Sequence, residues 1–163
     1  MKKALIIAGL ALGLSSAQAS SPLMNMSVMT LDTATQLAQA TIEACREEGV
    51  NVAVTVVDRG GNVQVVLRDT LAVDLTLEIS KQKAYTAMSF NMPLSQMEDR
   101  FTKPFQVGKV DGIVFSAGGI PVHAAGRIIG GVGVSGAPSG ATDEACAVKG
   151  LESIQMDLEM AGP

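Results

Sequence analysis

Tryptophan is absent, and aromatic residues make up only 3% of the 163 residues. A core built from this chain therefore consists of Val, Ile, Leu, Ala and Met. The stacking platforms used by readers of single-stranded nucleic acid are missing. Basic residues are few and scattered: 12 Lys and Arg stand against 16 Asp and Glu, a formal net charge of −4. With no basic cluster, nucleic acid and anionic membrane surfaces are excluded as partners. There is a single histidine, His123, so no histidine pair exists for zinc. No G-x-S-x-G elbow is present to carry a hydrolase nucleophile. Cys45 and Cys146 are the only cysteines, with no C-x-x-C and no C-x-x-C-H, which excludes a thioredoxin-type redox motif and covalent c-type haem. An even cysteine count in an exported chain permits one bridge; two buried thiols are the alternative.

Long apolar runs are equally scarce. The one at the start, Ala4–Leu14, follows Lys2 and Lys3 and precedes Ala17-Gln18-Ala19. It is too short for a bilayer span, which needs about 20 residues, and it has the form of a secretory signal with its cleavage site. Residues 1–19 are thus expected to be removed, giving a periplasmic or secreted protein that starts at Ser20 and has no membrane span. Loss of the two lysines takes the formal charge from −4 to −6. Residues 20–29 read as a Met-rich, apolar arm able to dock on a neighbouring subunit. Residues 30–163 read as one domain.

Glycine, in contrast, is abundant between Gly112 and Gly136. Three β-branched runs, Ile113–Ser116, Ile120–Ala124 and Ile128–Ser135, are separated by Gly118-Gly119 and Ala125-Gly126. Breaks this short cannot hold a crossover helix, so the spacing predicts an antiparallel meander. Upstream, Thr30 caps a helix whose stripe is Leu31, Ala34, Leu37, Ala38, Thr41, Ile42 and Cys45, ended by Gly49. Strands follow at Val50–Val57 and Val63–Arg68, apolar enough to be buried on both faces, with Asp58–Asn62 as the hairpin loop. Asp74 reads as the cap of a helix Leu75–Ser89 with Leu77, Ile79, Ala84, Tyr85, Ala87 and Met88 inward. Ser95-x-x-Glu98 reads as a capping box opening a short helix to Phe101. A last helix spans about Thr142–Met160. The order α-β-β-α-α-β-β-β-α predicts a two-layer, profilin-like α/β fold with a five-stranded antiparallel sheet. Apolar strands with too few helices to cover them predict homo-oligomers.

Residues 131–136 match G-x-G-x-x-G, but a dinucleotide fold requires a parallel strand after the helix and none follows. Asp58, Asp69 and Asp111 sit at strand ends, where turns place aspartate anyway. His123, mid-strand, is either a polar residue on the less covered sheet face or an axial haem ligand and so a metal site. Tyr85 and Met88, three apart on one helix face, are further donors to haem iron, or core.

DRGGNVQVVLR, KQKAYTA, MPLSQME, GGIPVHAAGRIIGGVGVSG and TDEACAVKG, in this order, resemble the GlcG/HbpS family and the C-terminal part of the PduO cobalamin adenosyltransferases. The resemblance runs from about Thr30 to Met160. It implies the two-layer fold, homo-oligomers and, in studied branches, binding of haem or its breakdown iron. Other branches accompany genes for glycolate or other small-acid use. Lys83 and Tyr85 lie in the KAYTA match and Gly118 and Gly119 in the GGIP match, which makes them pocket candidates. His123 departs from the family pattern. The leading expectation is an exported protein that binds haem non-covalently for capture, storage or sensing. The alternative is an accessory protein or enzyme for a small organic acid such as glycolate. Its carboxylate would sit on backbone N–H groups at Gly118, Gly119 and the helix start near Asp143.

Overall fold

The computed structural model describes residues 22–24, 26–100 and 107–161. The expected signal segment, its cleavage site and Phe101 lie outside these. Helix α1 (Leu31–Glu47) begins where the Thr30 side chain accepts from the Thr33 N–H. Strands β1 (Ala53–Asp58) and β2 (Val63–Arg68) form a hairpin, and α2 (Leu75–Phe90) follows. After two 3-10 turns, Leu94–Gln96 and Val107–Lys109, come β3 (Gly119–Ala124), β4 (Arg127–Ser135) and α3 (Gly140–Met160), capped by Ser139.

Among the described residues the sheet has four strands, not five, in the order β2-β1-β4-β3, all antiparallel. The run Ile113–Ser116, expected as a strand, joins no ladder. Side chains hold this stretch instead: Val114 N–H donates to Thr86 Oγ1 at 3.1 Å, and Ala117 N–H, just beyond the run, donates to Glu98 Oε1 at 2.8 Å. Phe115 meets Phe90 edge-on, ring centroids 5.3 Å apart. A short apolar run has the same pattern whether it pairs or lies across a helix, so periodicity could not distinguish them. The capping box also fails. Glu98 is engaged with Ala117, Ser95 N–H and Oγ bond the Glu144 carboxylate, and only the 3-10 turn Leu94–Gln96 forms. Asp74 precedes α2 without a side-chain cap bond.

Helices lie on both faces of the sheet. On one, α1 and α3 cover Val54, Val56, Val122, Val132 and Val134 with Leu37, Ala38, Ile42 and Ile154. These two helices cross where Gly150 lies on Thr41; a Cβ at Gly150 would stand 2.8 Å from Thr41 Cα. One turn away on each helix, Cys45 and Cys146 are joined in a disulfide, Cα atoms 5.2 Å apart. The bridge closes a 101-residue separation, and a loop of that size is worth up to about 4.7 kcal/mol in the chain-entropy account.

On the other face α2 rests on β4. Its underside is Thr76, Ser80, Lys83, Ala84, Thr86, Ala87 and Met88, more polar than its hydrophobic pattern suggested. Leu77 and Ile79 are only half-buried and Tyr85 is 40% exposed. The reason lies in the strand beneath. A Cβ at Gly131 would meet Ala84 O at 2.6 Å, and one at Gly133 would run into Ser80 O and the Ala84 N–H. The helix backbone sits directly on the glycines, so Ser80 and Ala84 face inward at the contact while Leu77, Ile79 and Tyr85 are turned outward. The β1–β2 expectation is corrected too: β1 is buried on both faces, but β2 is a half-exposed edge.

Gly133→Ala should destabilise the protein by about 3 kcal/mol, the upper end for overpacking, because backbone, not a movable side chain, opposes the methyl. Chemical denaturation of the variant beside Gly126→Ala, at an open turn with nothing within 4 Å, measures the difference.

Candidate functional site

The six residues singled out from sequence fall into two groups at different places along α2. Lys83, Gly118 and Gly119 meet near its middle and are all buried. Gly119 packs against the Lys83 carbonyl, and Gly118, at φ 119°, leaves room beside the ammonium. Lys83 Nζ donates to Asp143 Oδ2 at 2.8 Å, with the side chains 4% and 5% exposed. Asp143 Oδ1 also accepts from Ala137 N–H at 3.0 Å. Burial raises the Asp143 carboxyl above its ordinary range, against the lowering influence of Lys83 and of the Ala137 and Gly136 N–H groups. The pair thus ties α2 to the start of α3; it presents no open cation.

The same geometry overturns the carboxylate pocket expected there. Gly118 N–H already donates to Glu144 Oε2 at 3.0 Å, Ala137 N–H to Asp143, and Thr142 N–H to Ser139 Oγ. The protein's own acids and cap take up the donors that a small acid would need.

Tyr85, Met88 and His123 lie toward the C-terminal end of α2. Tyr85 and Met88 both abut the β1–β2 loop: a Cβ on Gly61 would stand 2.6 Å from the Tyr85 ring and 3.3 Å from Met88 Cε. Met88 is 4% exposed, packs with Val57, Ala84 and Ile128, and its sulfur accepts from Arg59 Nη1 at 3.7 Å. His123 is half-buried on β3, an edge strand, opposite Ile128. Its Nε2 lies 2.7 Å from Oδ1 of Asn91, the left-handed residue (φ 52°) that ends α2. An amide carbonyl can only accept, so this contact uses an Nε2–H, and in the neutral ring the lone pair is then on Nδ1. Asn91 and His123 therefore meet at the end of α2, with Ile128 opposite His123 on β4.

Sequence reasoning missed the parts played by Asn91, which it did not single out, and by Asp143, which it took only as marking the start of the last helix. A buried lysine needs a carboxylate, and Lys83 inside an otherwise apolar helix stripe was the signal available for that partner. Among the described residues no group of three His, Cys, Asp or Glu side chains could hold a bare metal ion. A lone imidazole suits iron whose other ligands come from a macrocycle.

Residues 29–152 match the family described as haem degrading protein HbpS-like. The chain belongs to that family. A solved HbpS structure is similar over 82% of this chain and 94% of its own, at 40% identity and TM-score 0.77. The Klebsiella pneumoniae protein ORFY is similar over 81% and 94% at 28% identity, TM-score 0.76. A PduO C-terminal domain solved in complex with haem is similar over 78% and 96% at 25% identity, TM-score 0.70. Among curated proteins, an uncharacterised 15.0 kDa Citrobacter freundii protein from the dhaT–dhaS intergenic region is 34% identical over 116 residues, covering 68% of this chain and 82% of its own. The family expectation from the sequence motifs is thereby met. The HbpS-like match takes in β3 and β4, α2 and the start of α3, the elements that build both residue groups.

Asp143→Asn leaves the Lys83 ammonium buried beside a neutral partner and should cost about 3–5 kcal/mol. Replacing both, Lys83→Met with Asp143→Leu, should cost far less or nothing, since apolar substitutes for a buried pair are often neutral. Urea unfolding of the single and double variants checks the contrast.

Proposed function

We propose that this protein binds haem non-covalently, with His123 as the axial ligand. The observation that carries this is the imidazole itself. It is the chain's only one, it stands on an edge strand, and Asn91 holds its Nε2 proton so that Nδ1 is free to donate. Membership of the HbpS-like family and the haem complex of the PduO C-terminal domain support the ligand class. When bound, haem would supply iron for ligand exchange or redox chemistry. The residues of this chain would hold and orient it: His123 through Nδ1, Met88 and Ile128 as apolar wall, Tyr85 as the next donor to test. Met88 is deeply packed with its sulfur toward Arg59, which suits a wall better than a ligand. Lys83, Gly118 and Gly119 would position α2 and stay out of contact with the macrocycle.

The same reading places the protein outside the cytoplasm and in a homo-oligomer. The Cys45–Cys146 disulfide supports an oxidising compartment. Leu71, Val73 and Leu75, close in sequence and each at least 66% exposed, support self-association.

Haemin titrated into the apo protein should give a Soret band, and His123→Ala should weaken binding at least tenfold and shift the maximum. Identical spectra and affinities in both proteins would remove His123 as the ligand. Exported material should begin at Ser20 by N-terminal sequencing and exceed the monomer mass in light scattering.

A further inference from the structure

We infer that Arg59 and Arg127 form a binding site for the carboxylate of an amphipathic ligand. The two arginines line one cavity of about 510 Å³ with Met24, Met26, Ser27, Ile128 and Ile129. Arg59 comes from the loop after β1 and Arg127 from the first residue of β4, adjacent strands of the sheet. Four cations elsewhere have carboxylates: Arg46 faces Asp69 and Glu43, Lys81 faces Glu78, Lys83 faces Asp143 and Lys149 faces Glu48, all within 3.5 Å, while Arg68 donates to the Ala72 carbonyl and Arg100 to the Met92 sulfur. Among the described residues the Arg127 side chain makes no hydrogen bond or ion pair, and the Arg59 side chain has only the Met88 thioether as acceptor. The carboxylate next in sequence to Arg59 is occupied, because Asp58 accepts from Gly60 N–H at 2.8 Å, from Asn62 N–H at 2.9 Å and from the Asn62 amide.

A chain with net charge −4 thus keeps two uncompensated guanidiniums at one cavity. A guanidinium fork matches a carboxylate in two parallel bonds, which a lone ammonium cannot do. Isoleucine and methionine side chains line the same cavity, so the favoured ligand has an apolar body as well as an acid. Ile128 belongs to this cavity and also stands opposite His123. The propionates of a haem at His123 are therefore one source of the carboxylate, a part of the inference that rests on the haem reading. A free organic acid is the other source.

The test uses the mature chain, Arg59→Gln, Arg127→Gln and the double variant. Both side chains are exposed, so the variants fold, and melting curves verify this. The probes are haemin, haemin dimethyl ester and succinate, read by Soret titration and by thermal shift. Wild type should bind haemin at least tenfold tighter than the diester, and the double variant should lose that preference while its affinity for the diester stays unchanged. If haemin does not bind but succinate raises the melting temperature only when the arginines are present, the site stands for a free acid and the haem reading falls. If haemin binds with the same affinity in wild type and double variant, and succinate has no arginine-dependent effect, the inference is overturned and the haem reading survives. If no probe binds, both fall.

Discussion

The approach of α2 to the glycines of β4 is the constraint from which the rest of the site follows. A helix normally stands about 10 Å from a sheet because side chains fill the gap. Here Gly131 and Gly133 provide no side chains, and the backbones of Ser80 and Ala84 descend into the space. Hydrophobic burial per residue is small at such a contact, but the position along the strand is sharply specified, since a shift toward the start of β4 would set a helix backbone against Ile128, which packs on this face. The end of α2 is thereby fixed relative to β3, and with it the distance between Asn91 and His123.

Close packing also explains the buried ion pair. Lys83 takes up space that a side chain on Gly118 or Gly119 would need, with its Nζ at the first and its carbonyl at the second, beside the Asp143 Cβ and Leu94. Its ammonium then ends in a dry place and requires an anion, which Asp143 provides from the first turn of α3. Desolvation offsets much of the attraction, in keeping with the raised Asp143 carboxyl. The pair is better understood as a register device: it admits one placement of α3 against α2. Across the sheet, Gly150 and the Cys45–Cys146 bridge impose the same kind of single placement on α1 and α3. Each helix is thus located by a contact that tolerates no sliding.

Much of this architecture was legible in the chain. The stripe Ala34, Leu37, Ala38, Ile42, Cys45 has the helical period and is buried as that period predicts. The Val63–Arg68 strand and the Ala125-Gly126 turn followed from β-branched runs between breaks, and both turn residues have positive φ. What was not legible depended on partners distant in sequence. Ile113–Ser116 has the composition of a strand but is held by Thr86 and Phe90, residues of α2. Ser95 and Glu98 have the spacing of a capping box, yet bond to Glu144 and Ala117. The pattern of α2 misled because hydrophobic periodicity assumes a side-chain-lined floor, and this floor is glycine. The cysteines left bridge and thiols both open, since only the helix crossing brings them together. His123 stood out by being unique, whereas Asn91 and Arg127 resembled ordinary turn residues until the fold showed what they lacked or faced.

The two ends of this arrangement have different chemical characters, and that difference bears on where a ligand can act. At the middle of α2 and the start of α3 every donor identified has an acceptor within the chain: Lys83, Gly118 N–H, Ala137 N–H and Ser95 are all matched to Asp143 or Glu144. A ligand entering there would have to displace bonds already made. At the end of α2 the balance is reversed. His123 retains a lone pair, the Arg59 side chain has a thioether for its partner, and the Arg127 side chain has none among the described residues. These groups come from β3, the β1–β2 loop and β4, elements held rigidly by the glycine contact and the ion pair beneath. A rigid frame with unsatisfied donors and acceptors at one end loses little entropy on binding. The closed half of the molecule is therefore what makes the open half a site.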